Sequence, residues 1–182
     1  MRYVVAITGA SGSIYGVRLL QELPGERILV MSSVAKEMAP FETGMDLKDI
    51  VALADRCYED DDLFASISSG SYEYDCMFVV PCSESSIGKF ANGIADTLIS
   101  RAVSVCIKEG RRLILVPRET PKSAIMLENE LRLARLGVVI MDANPGFYNR
   151  PQSVDDIVDF IVGRCLDRAG VRNDLLKRWE GS

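Results

Sequence analysis

Five apolar runs do most to limit what this chain can fold into: residues 3–7 (YVVAI), 27–31 (RILVM), 76–80 (CMFVV), 112–116 (RLILV) and 137–141 (GVVIM). They are rich in Val and Ile and do not alternate with polar residues, so each reads as a strand buried on both faces, as in a parallel sheet. Helical periodicity fills the intervals at 13–23, at 33–54 with a break around 40–44, at 84–109, at 121–136 opening on Thr120–Pro121, and at 153–168. In the last of these Ser153 is the expected N-cap, with Asp155 and Asp156 favouring the positive end of the helix. The alternation predicts an open α/β sheet joined by right-handed crossovers. Residues 58–75 lack a period and read as a solvated acidic loop, with Ser66 to Ser71 placed to border a site. Residues 1–169 read as one domain and 170–182, which hold the sole tryptophan, Trp179, as a tail.

Composition removes several chemistries. With 182 residues there is room for one sizeable core, and a net charge of −5 argues against general nucleic-acid binding. No apolar segment approaches the ~18 residues of a membrane span, and Met1–Arg2 runs straight into a strand, which predicts a cytoplasmic chain. The five cysteines are scattered without a C-x-x-C pair, so reduced thiols are expected rather than disulfides or a metal site. There is no histidine. That excludes Ser-His-Asp and Cys-His catalysis and H-E-x-x-H zinc chemistry, and leaves proton transfer to carboxylates, Tyr, Lys, Cys or the substrate.

The first run leads into TGASGSIYG, a strand, a glycine turn and a helix. Glycines at 9, 12 and 16 miss the dinucleotide spacing, the second run ends VMSS without a ribose-binding acid, and no Gly-Lys-Ser/Thr follows. NAD and ATP are therefore disfavoured. A mononucleotide phosphate fits the backbone N–H groups of Gly9, Ala10 and Ser11 at a helix start. Ser32 and Ser33 end the second run, and Ser83, Ser85 and Ser86 follow the third. Any one such turn is ordinary cap chemistry. Three together at strand carboxyl ends predict a neutral, donor-rich crevice where open α/β sheets bind ligands. Arg101 and Lys108 face either solvent or an anion. Arg118–Glu119, at the end of the fourth run, reads as an anion clamp beside a proton carrier, with Tyr148 near the same rim.

The segments TGASGSIYGVRLL, VMSS, ISSGS, VVPCSESS, DTLISRAVSVCIKEGRRLILVPRETP, LENELRLARLGVVIM and PGFYNRPQSVDDIVDFIVGRCLD follow one another over nearly the whole chain. In that order they resemble the UbiX-like flavin prenyltransferases, formerly called aromatic-acid decarboxylases. The resemblance implies a three-layer α/β sandwich, mainly parallel and flavodoxin-like or Rossmann-like, of the homo-oligomeric flavin-containing decarboxylase superfamily. It also implies metal-independent transfer of a dimethylallyl group from dimethylallyl phosphate to N5 and C6 of reduced FMN. A homo-dodecamer would make this prenylated FMN for a UbiD-like decarboxylase. Carried over by position, Gly9, Ala10, Ser11, Ser32, Ser83, Glu84, Ser85 and Ser86 would meet FMN, with Arg101 a basic contact beside it. Tyr148 and Arg164 would hold dimethylallyl phosphate. Lys108, Arg118, Glu119 and Glu42 would line the phosphate and proton-transfer site, and Trp179 would close over the substrate. Because FMN sites in this family lie between subunits, Arg101, Tyr148 or the tail would serve a neighbour's flavin. Ser33 stands where relatives commonly have Lys, and Met126 where many have His.

On this reading Lys108, Arg118, Arg164 and the Ser11 hydroxyl offset the departing phosphate's charge, and Tyr148 and Trp179 offer π-faces to the allylic cation. Glu119 is the expected proton shuttle, relayed through Ser11 with Glu42 in support. Cys82 is expected to be a small buried residue rather than a nucleophile. Peptidyl-cysteine decarboxylases of the same superfamily use a histidine and an Asn-Met motif, whereas this chain has no histidine and reads PGFYNRPQS. A non-catalytic flavin-binding or electron-transfer module would need the serine turns but not the cluster of Arg101, Lys108, Arg118, Arg164 and Glu119.

Overall fold

A computed structural model describes residues 1–176 and residue 178. The five apolar runs become β1 (Arg2–Ile7), β2 (Glu26–Met31), β4 (Cys76–Cys82), β5 (Leu113–Pro117) and the short β6 (Val139–Ile140). One further strand, β3 (Arg56–Glu59), lies at the edge, with Arg56, Cys57 and Glu59 exposed, so it carries no apolar run to betray it. All pairings are parallel, in the order β3-β2-β1-β4-β5-β6. This is the Rossmann order, and it reverses between β1 and β4, which defines a topological switch point at the carboxyl edge.

The helices are α1 (Ser13–Glu22), α2 (Ser33–Thr43), α3 (Leu47–Val51), α4 (Glu84–Ala91), α5 (Leu98–Lys108), α6 (Ala124–Arg135) and α7 (Val154–Ala169). Alternate β1 residues serve two separate cores. Tyr3, Val5 and Ile7 join Leu19, Leu20, Val158, Ile161 and Val162 on the α1 and α7 side. Val4 and Ala6 join Ile87, Leu98, Val103, Met126 and Leu133 on the α4–α6 side. The result is the expected three-layer sandwich. A Cβ on Gly16 would lie 2.3 Å from the Val80 carbonyl oxygen, so glycine is what lets α1 pack this close to β4.

The break expected around 40–44 is present: α2 runs through Pro40 and stops at Gly44, whose φ of 70° suits glycine. One expected helix is divided. The 84–109 helix breaks after Ala91, passes Gly93 at φ 69°, and restarts where Thr97 and Ser100 form a reciprocal capping box. The helix expected at 121–136 begins only at Ala124, because Ser123 supplies the cap, accepting from the Met126 N–H. In α7 the expected Ser153 cap is present, and Asp156 completes its capping box.

Candidate active site at the carboxyl edge of the sheet

The hydroxyl-rich turns converge at the switch point. The Ser83 N–H donates to Thr8 Oγ1 (2.8 Å), whose hydroxyl donates to the Pro81 carbonyl (3.0 Å), locking the ends of β1 and β4 together. Beside this lock lies a crevice of about 350 Å³ lined by Thr8, Gly9, Ser32, Ser83, Ser85 and Ser86 together with Asp60, Lys89 and Thr97. Ser32 and Ser83 each cap a helix, accepting from the N–H groups of Ala35 and Ser86 at 3.2 Å, so the starts of α2 and α4 both border the crevice. A Cβ at Gly9 would come within 2.9 Å of Val34, which lines the same space. Ala10 is buried. Glu84 turns outward and accepts from the Ser123 hydroxyl at 3.0 Å.

A second cluster stands at the start of α1. Glu42, near the end of α2, accepts from the N–H groups of Gly12 (3.0 Å) and Ser13 (2.8 Å). Burial pushes its carboxyl pKa up, but hydrogen bonds from the Ser11 hydroxyl and from the Ser13 and Gly12 amides outweigh this and hold it below the usual carboxylate range. A carboxylate thus occupies the positive end of α1. Arg118 donates through Nε to the Ser11 carbonyl at 3.1 Å, which brings the end of β5 against the same turn. Burial raises the pKa of the neighbouring Tyr15 hydroxyl, and the Arg118 charge offsets part of that rise.

A hollow of about 320 Å³ adjoins this cluster, lined by Arg118, Glu119, Thr120, Lys122, Asp142 and Asn144 among others. Glu119 is half-buried there and accepts from the Thr120 N–H at 3.0 Å. Glu42 is thus held against the Ser11–Ser13 turn, while Glu119 lines the adjoining hollow.

The remaining expected residues stand on other elements. Arg101, one turn into α5, donates to the Ser68 carbonyl at 3.1 Å on a 3₁₀ turn, Ser66–Ser68. Lys108 closes α5 at the opposite, amino edge of the sheet, paired with Glu109 at 2.5 Å and next to Gly70. Ten residues of helix separate it from the carboxyl edge, roughly 15 Å. Tyr148 packs edge-on against Phe160 of α7, with ring centroids 6.0 Å apart. Arg164 follows one turn later, exposed and 3.6 Å from Asp167. Trp179 lies outside the described residues. Cys82 is buried, which raises its thiol pKa and keeps it protonated, as expected for a packing residue. Met126 is likewise fully buried.

The chain matches the Flavoprotein family model over residues 1–166. It is 53% identical over 180 residues to the flavin prenyltransferase UbiX of Thermoplasma acidophilum, covering 98% of this chain and all of that one. The dodecameric FMN-dependent UbiX-like decarboxylase of Escherichia coli O157:H7 superposes with a TM-score of 0.97 at 46% identity, covering both chains completely. The structure of AnUbiX (PadA1) in complex with FMN and dimethylallyl pyrophosphate gives a TM-score of 0.97 at 42% identity, covering 100% of this chain and 98% of that one. Among the described residues no helix is long and apolar enough to cross a membrane.

Proposed function

This chain belongs to the UbiX-type flavin prenyltransferases, and from that membership we propose that it transfers a dimethylallyl group from dimethylallyl phosphate to N5 and C6 of reduced FMN. The carrying observation is the adjacency of two unlike sites at one sheet edge. One is a neutral hydroxyl crevice on three strand ends; the other is a turn where Ser11, Glu42 and Arg118 meet. The donor set fits FMN, since Ser and Thr hydroxyls and the helix starts at Ser32 and Ser83 suit a phosphate and polyol, and the bare Gly9 leaves room against Val34. Reduced FMN supplies the nucleophilic ring positions when bound.

The chain's own residues hold the donor and move protons. Arg118, fixed by its bond to Ser11, offers a cation to the departing phosphate. Glu42 is ionised at neutral pH and can accept a proton through the Ser11 hydroxyl, while Glu119 faces the adjacent hollow as the second carrier. Lys108, at the amino edge, lies away from this turn within one chain, which suits service to a neighbouring copy in a dodecamer; Arg101 is assigned to the flavin, and Tyr148 and Arg164 to the donor phosphate. Trp179 is assigned to closure from the tail. We further infer a cytoplasmic enzyme with residues 1–169 as its flavin-binding body, handing its product to a UbiD-like decarboxylase.

The test is anaerobic incubation with reduced FMN and dimethylallyl phosphate, followed by mass spectrometry of the released flavin. A gain of one prenyl unit is expected. Unmodified FMN bound to a folded protein would favour a non-catalytic flavin module.

A further inference from the structure

One charged cluster beside the site has no part in the chemistry above. Lys122, on the loop between β5 and α6, reaches both oxygens of Glu130 on α6, at 2.9 and 3.0 Å, and also bonds Asp142, which follows β6. The Lys122 and Glu130 side chains are only 17% and 10% exposed, and Asp142 is 34% exposed. Burial works against the Lys122 charge, but the hydrogen bonds it donates to Asp142 and Glu130 outweigh this and keep the ammonium firmly protonated.

The triad's net charge is −1, so it is not itself a phosphate site. An ionic cluster of this kind is also a weak route to stability, because well-packed apolar side chains do as well or better. What it does supply is geometry. A single ammonium ties the segment carrying Arg118 and Glu119 to α6 and to the loop that runs from Asp142 to Tyr148. Lys122 and Asp142 also line the same hollow as Arg118 and Glu119. The segment is thus pinned at one end by the Arg118 bond to Ser11 and at the other by Lys122.

We propose that Lys122 is a positioning residue whose ties to Glu130 and Asp142 set the width of the hollow that receives the prenyl phosphate. This rests on the prenyltransferase reading. The test compares wild type, Lys122→Met, Lys122→Arg and the neutral triple variant Lys122→Met/Glu130→Gln/Asp142→Asn. Readouts are Tm, the FMN Kd by flavin fluorescence, and kcat and KM for dimethylallyl phosphate. Lys122→Met should raise KM roughly tenfold, as expected for misplacement of substrate-binding groups, while FMN Kd stays within about twofold. Lys122→Arg should recover most of the loss. The triple variant, which leaves no unpaired buried charge, should regain Tm but keep the raised KM. It decides the matter if Lys122→Met fails to fold. A triple variant with wild-type KM, or KM and FMN Kd rising together, would reduce the triad to a structural element. A wild-type protein that forms no prenylated flavin would sink the functional reading and this inference with it.

Discussion

Replacing Glu42 by Gln removes a charge from the start of α1 while nearly preserving shape. The carboxylate accepts from two backbone amides and the Ser11 hydroxyl, so the loss combines a helix cap with charge-assisted hydrogen bonds. Cap removals cost about 1–2 kcal/mol, which for a chain of this size is about 2–8 °C in Tm. The pH dependence is the sharper prediction. Glu42 has a folded-state pKa held below that of an unfolded Glu. Its contribution is therefore complete above that unfolded value and disappears as pH falls through the folded one. Thermal melts of wild type and Glu42→Gln from pH 7.5 down to pH 3 should show the full gap at neutral pH and a closing gap at the acid end. A gap that is absent at pH 7, or unchanged at pH 3, would refute the cap argument.

Three further outcomes follow from the same geometry. Gly16→Ala forces a Cβ to 2.3 Å from the Val80 carbonyl oxygen and should cost about 3 kcal/mol or abolish folding, read from the urea midpoint. Ser83→Ala removes the α4 cap and a crevice hydroxyl; it should lower stability by about 1 kcal/mol and weaken FMN binding about tenfold by fluorescence titration. Glu119→Gln should reduce kcat about 100-fold with FMN Kd unchanged, and wild-type turnover in that variant would remove Glu119 from the proton path.

Much of the fold was legible because buried parallel strands write themselves as unbroken apolar runs, and β4 is buried along its whole length. The edge strand β3 was not, since Arg56, Cys57 and Glu59 face solvent and carry no hydrophobic signal. Division of the 84–109 helix was readable in retrospect from Gly93 and the Thr97/Ser100 capping pair, which the continuous apolar face of α5 concealed. The three hydroxyl turns appeared in sequence because strand ends and helix caps share the same small residues. That Glu42 bonds the Gly12 and Ser13 amides was not visible as geometry, because it depends on how α2 packs beside α1. Arg101 and Lys108, seven residues apart, were each read as facing solvent or an anion. Along a helix that spacing is about 10 Å, which carries Lys108 away from the carboxyl edge. The Lys122 triad joins a loop, a helix and the residue region after β6 at separations of 8 and 20 positions, which match no contact spacing within a helix or strand.

Everything in this mechanism depends on where the two ligands lie. A crystal structure with FMN and dimethylallyl phosphate bound should place the flavin's ribityl phosphate among Gly9, Ser32 and Ser83 to Ser86, with the prenyl donor's phosphate against Arg118. Flavin bound away from that crevice, or Arg118 turned to solvent with the donor phosphate held elsewhere, would contradict it.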